Sequence, residues 1–284
     1  STTSVGPLSV AATAPGGASR TLVRVLCLIS PATSLDLDSP LVTSRYSQPR
    51  LLPQTQALVD RLRGLSVDDL RVLMGISTEL AEVNRQRYAT FTIPQPATAR
   101  PAVLTFAGDV YRGLRAGERF TEADFDEAQH SLRILSGLYG LLRPLDLIQP
   151  HRLKMGTMLT TAHGRGLYQV WREQVSDLVA EDLAVSPGEP VIVNLASAEY
   201  AKVIDTRRLP RPMISPRFED PDRSGRYRVV SFLAKRARGE MAAWLVRERI
   251  RNADQLPDFA VAGYRYYRDH STATVPVYRT DPTA

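Results

Sequence analysis

Val191-Ile192-Val193-Asn194-Leu195-Ala196-Ser197-Ala198-Glu199-Tyr200-Ala201-Lys202 is an apolar run that turns through Asn and Ser into a short helix-forming segment. Runs of the same strand-like character at 22–29, 102–106, 190–196 and 227–233 alternate with stretches of helical periodicity. That alternation is the signature of an α/β protein (mixed α+β) rather than a helical bundle or a sandwich. A single domain built on a mixed sheet over 21–284 is the expected organisation, preceded by a flexible arm at 1–20 rich in Ser, Thr, Ala, Gly and Pro.

The helices announce themselves by their caps. Ser66 followed by Asp69, and Thr121 followed by Asp124, are acidic forms of the capping box. The first opens onto Leu70, Leu73 and Met74 as one apolar face; the second onto Phe125, Ala128, Leu132 and Leu135. From Gly166 to Leu183, residues Leu167, Val170, Trp171, Val175, Leu178, Val179 and Leu183 form one stripe, so Trp171 is expected to pack rather than bind.

Composition narrows the function classes. Hydrophobic residues make up 43% of the 284, enough for a real core, and no apolar run approaches the roughly 18 to 20 residues of a membrane span. A soluble, cytoplasmic monomer with no membrane partner is expected. Cys27 is the sole cysteine and sits inside an apolar strand, where a thiol behaves as a small hydrophobe. His130, His151, His163 and His270 show no ligand spacing, so neither a metal site nor a cofactor is legible. The net charge of +6 favours anionic partners without identifying one.

Lysine occurs only at 154, 202 and 235, among 36 basic residues. Arg cannot lose its proton in a protein, whereas Lys is a compact point charge whose pKa moves on burial, so the surviving lysines mark places to examine. Three clusters contain or adjoin them. Ser136-Gly137-Leu138-Tyr139-Gly140-Leu141-Leu142-Arg143 has the two spaced glycines of a helix-hairpin-helix turn, whose amides grip phosphates; Arg133, Arg143, Arg152 and Lys154 flank it. In the opening stretch Ser197 is placed to cap a helix, with Glu199 and Lys202 on one face; strand ends of open sheets are where ligands collect. At Lys235-Arg236-Ala237-Arg238-Gly239 an apolar run enters a basic helix start, whose conflict with the helix dipole an anion would relieve.

These clusters, together with Ile29-Ser30-Pro31-Ala32, Gly108-Asp109-Val110-Tyr111 and Leu145-Asp146-Leu147-Ile148-Gln149-Pro150, make the chain resemble the YaaA family of bacterial peroxide stress proteins from about Leu22 to Val277. The resemblance implies a mixed α/β domain with a basic cleft and a helix-hairpin-helix element. It also implies DNA binding and protection against hydrogen peroxide by limiting free iron. The chain departs from the family pattern at Thr33 and Ala107, where Lys is usual, and at Ala198, where Asp is usual.

The leading expectation is therefore non-sequence-specific binding of DNA phosphates through Ser197, Lys235, Arg236, Arg238, Gly137, Gly140, Arg143 and Arg152. The competing expectation is an enzyme of specialised metabolism acting on a small anionic, phosphate-bearing or nucleotide-like substrate. There Glu199 or Tyr200 would move protons and Lys202 would act as charge stabiliser or amine nucleophile. Direct iron sequestration would need carboxylates such as Asp124, Asp126 and Glu127, which read more simply as an acidic helix turn.

Overall fold

The strand Val25–Ile29 is apolar throughout and buried on both faces, and it forms the middle of the sheet that organises the molecule. The computed structural model describes residues 25–184 and 190–280; the expected arm at 1–20 lies outside them. On one side the central strand pairs in parallel with Val191–Asn194, which pairs in parallel with Met213–Ile214. On the other it pairs in parallel with Leu132–Ser136, and Gly140–Leu142 closes that edge antiparallel. A second sheet, with Arg217–Pro221 and Val277–Thr280 at its centre, makes the whole a mixed α/β structure. Burial pushes the Cys27 thiol pKa up, as its place in the central strand requires.

Both capping boxes form, at Ser66 for the helix Val67–Met74 and at Thr121 for Glu122–Ser131. The long stripe becomes the helix Leu167–Ala184, whose buried Trp171 donates from Nε1 to the Gly137 carbonyl at 2.9 Å. Among the described residues no helix is long and apolar enough to cross a membrane.

Three local expectations are corrected. The run at 102–106 contains a helical turn, Ala102–Thr105, in which Thr105 Oγ1 donates to the Pro101 carbonyl at 2.7 Å; a short run buried all round does not declare its period. Leu132 and Leu135 do not extend the helix before them, which ends at Ser131, but belong to the strand Leu132–Ser136. Finally, 227–233 is mostly not a strand. Only Tyr227–Arg228 pairs, Val229 and Phe232 are exposed, and the helix Ser231–Arg247 begins four residues before Lys235.

That helix crosses Asp109–Leu114 at very close range. A Cβ on Gly239 would lie 1.8 Å from the Val110 carbonyl oxygen, and one on Gly113 would lie 2.0 Å from the Arg236 carbonyl oxygen. Backbone therefore rests on backbone at two glycines, and the side chains just before the crossing are held in fixed positions beside the sheet.

Candidate functional site

Beyond the carboxyl ends of the parallel strands Val25–Ile29 and Val191–Asn194, the chain leaves the sheet at Ser30 and at Leu195, and a cavity of about 570 Å³ opens there. Ligands collect at this end of a parallel sheet because the strand-to-helix turns diverge around it. Ser30 joins the two turns: its Oγ accepts the Ser197 N–H at 2.8 Å and lies 3.3 Å from Ser197 Oγ. The Tyr111 hydroxyl donates to the Ser30 carbonyl at 3.1 Å, tying in the helix Asp109–Leu114. Ser197 therefore serves as a bridge to Ser30, and its side chain makes no cap bond to the helix Ala198–Ala201.

The charged lining consists of Lys154, Lys235 and Arg238 with Asp109 and Glu199. Asp109 is engaged by Arg112 at 3.1 Å, and Glu199 Oε1 accepts the Gly156 N–H at 3.0 Å. The three cations have no carboxylate within ion-pair distance among the described residues. Arg238 is the telling one. It is half-buried, burial alone pushes its guanidinium pKa down, and it keeps its charge because arginine does not deprotonate in proteins. Lys235 and Arg238 lie in the second turn of their helix rather than at its start, so side chains rather than backbone amides would hold an anion here.

The residues expected to carry proton chemistry separate. Glu199 and Tyr200 line the cavity. The Tyr200 phenol is pushed well above its ordinary pKa, by burial first and by Glu199 second, so at neutral pH it is a proton-bearing donor and not a base. Lys202 is absent from the lining: exposed, with Nζ 5.2 Å from the centre of the Tyr168 ring, it pairs with that ring rather than with Glu199. The Tyr168 hydroxyl donates to the Glu199 carbonyl at 2.7 Å, so Lys202 touches the site only through Tyr168.

The helix-hairpin-helix expectation is overturned by local geometry. Gly137 and Gly140 belong to a buried β-hairpin between Leu132–Ser136 and Gly140–Leu142. A Cβ on Gly137 would lie 2.2 Å from the Leu153 carbonyl oxygen, and one on Gly140, at φ +70°, 2.8 Å from the Trp171 ring. These glycines admit core neighbours, not phosphate. Arg143 is committed to Asp146, to which Nε and Nη2 donate at 3.1 and 3.0 Å. Arg152 stands outside the cavity, its carbonyl accepting the Tyr88 hydroxyl at 2.7 Å. Arg236, next to Lys235, faces a neighbouring cavity. The carboxylates considered for iron are each tied to arginine: Asp124 to Arg249, Glu127 to Arg251, Asp126 to Arg45.

The family of peroxide stress protein YaaA matches this chain over residues 25–270. The chain belongs to that family. It is 48% identical to a UPF0246 protein of Tolumonas auensis over 256 residues, which are 90% of this chain and 97% of that protein. A UPF0246 protein of Cellvibrio japonicus is 44% identical over 260 residues, 91% of this chain and 100% of its own length. Thr33, Ala107 and Ala198, the three departures from the YaaA pattern, all line the one cavity. Ser30, Asp109 and Tyr111 were missing from the residues expected to bind. Their only signal in the sequence was the pair of YaaA-like strings that contain them.

Proposed function

We propose that this YaaA-family protein serves peroxide-stress defence through a phosphate-bearing small molecule bound in the cleft between Ser30, Ser197 and the Ser231–Arg247 helix. The observation that carries this reading is Arg238, a half-buried charge with no carboxylate partner among the described residues, facing a concavity that it shares with Lys154 and Lys235. Burying an unpaired charge is costly, and a bound phosphate supplies the missing partner with two acceptors for the planar fork. A cavity of about 570 Å³ suits a ligand of small-molecule size. The test is calorimetric titration with inorganic phosphate, repeated on Arg238→Gln. Binding weakened about tenfold or more by the substitution is expected, because a charge-assisted hydrogen bond contributes about 1.5 to 3 kcal/mol. Equal affinity in the two proteins overturns the reading.

A second reading, DNA held through its phosphates, draws on a different feature. Lys235 and Arg236 are exposed in the second turn of a helix whose first turn presents Phe232, 60% exposed, to solvent. Cations beside an open aromatic suit a strand that can lay its phosphates and bases along them. Fluorescence anisotropy with duplex and single-stranded DNA across a salt series tests it: affinity should fall steeply with salt, and no binding at low salt overturns it. Under either reading, limitation of iron-dependent damage would be the cellular outcome. A peroxide-sensitive deletion strain should then be rescued by the wild-type chain and not by the variant that loses ligand.

A further inference from the structure

Beside the cleft lies a second cavity of about 480 Å³, and the two share Ser34, Ala107, Gly108 and Tyr111 as a common wall. The second cavity has its own cations, Arg112, Arg115 and Arg236, against Asp36 and Glu118. Lys235 and Arg236 are consecutive on one helix, so their side chains diverge by about 100°, and one lines each cavity. Arg236 has no carboxylate partner among the described residues. Arg115 is held in the left-handed region at φ 46°, a conformation that a residue with a Cβ rarely adopts. Its Nε is buried without an acceptor, while its Nη1 forms a long ion pair with Glu118 at 3.7 Å. Between the two cation groups the wall is nearly bare: Ala107 and Gly108 offer almost no side chain, and the Tyr111 ring packs against Phe106 with its hydroxyl already engaged.

We propose that the two cavities form one groove for an elongated small molecule with two separated anionic groups, one held by Lys154, Lys235 and Arg238 and the other by Arg115 and Arg236. This rests on the cleft reading above and adds a second subsite to it. A single phosphate answers only one group of cations, whereas a neutral linker crossing Ala107 and Gly108 lets one molecule answer both. Joining two weak contacts in one ligand makes the second intramolecular, so affinity rises sharply when the linker matches the span.

The experiment is calorimetric titration of the full chain with alkane-α,ω-bisphosphonates of increasing length and with the matching alkylphosphonates. One length should bind at least about tenfold more tightly than its monophosphonate, the gain expected of bivalency. Arg115→Gln combined with Arg236→Gln should abolish that gain and leave monophosphonate affinity unchanged, and Ala107→Leu, on the wall shared by both cavities, should abolish the gain by obstructing it. Thermal melts confirm that each variant is folded. If monophosphonates bind but no bisphosphonate exceeds them, or if the gain survives in the double arginine variant, the second subsite is overturned and the cleft stands. If the monophosphonates do not bind at all, the cleft reading falls and takes this one with it.

Discussion

Arg133 and Arg238 are both buried enough that desolvation pushes their guanidinium pKa down, and they meet that cost in different ways. Arg133, in the strand Leu132–Ser136, donates from Nε to Asp182 at 2.7 Å, and Arg50 pairs with the same carboxylate at 2.8 Å. Arg238, beside the cleft, has no carboxylate within ion-pair distance among the described residues. The contrast holds within a single helix: two residues beyond Arg238, the buried Glu240 accepts from Arg119 at 2.6 Å. Arginines that brace this fold are answered by the protein itself, while under the proposed reading Arg238 is left for a ligand to answer. Charge alone does not separate structural from functional cations; the presence of an internal partner does.

The largest test of that distinction removes a paired cation. Arg119→Met strands Glu240, whose side chain is only 4% exposed, and should cost roughly 3 to 5 kcal/mol in chemical denaturation; a loss under about 1 kcal/mol would show that the pair braces nothing.

His151 shows another way to bury a cation-forming group without a carboxylate: it stays neutral. Packed edge-on against Phe106 and Tyr139, with Nδ1 2.9 Å from the Gln149 carbonyl, its pKa is pushed down to about 4, by burial first. The unfolded chain then takes up a proton before the native one does. Its contribution is complete above pH 6.5 and is lost as pH falls toward 4, by about 3 kcal/mol in all. Denaturation at pH 7 and pH 4.5 should show this loss in the wild type and a smaller one in His151→Gln.

Arg238→Gln should move binding instead of folding. Phosphate affinity should drop about tenfold or more with Tm unchanged or slightly raised, since an unanswered charge leaves the interior; a marked fall in Tm would place Arg238 among the braces. The smallest effect belongs to an exposed pair. Arg45→Ala breaks contacts with Glu122 and Asp126 at the surface, and Tm should stay within replicate scatter.

The strands Val25–Ile29 and Val191–Asn194, the two capping boxes and the Trp171 stripe were legible because each depends on contacts within a few residues or on one uninterrupted apolar run. Parts of the site were legible for the same reason: Ser197, Glu199 and Tyr200 follow directly from the end of a strand, and Lys235 and Arg238 stand one turn apart on one helix. The glycines at 137 and 140 misled because a spaced pair marks close approach without saying to what. Here the neighbours are Leu153 and Trp171, 16 and 31 residues further along the chain than the glycines they meet. Lys202 misled in a similar way, since its spacing from Glu199 permits a shared face but the Tyr168 ring, 34 residues earlier in the chain, takes the ammonium.

By itself the sequence determined the α/β class, the family and a short roster of charged residues, because propensities, caps and motif strings are local properties of the chain. Which of those charges are spent on the fold and which remain free for a ligand was decided only by tertiary structure. A cation's partner is set by packing: Asp182 reaches Arg133 across 49 residues and Glu240 reaches Arg119 across 121, whereas among the described residues no carboxylate reaches Arg238.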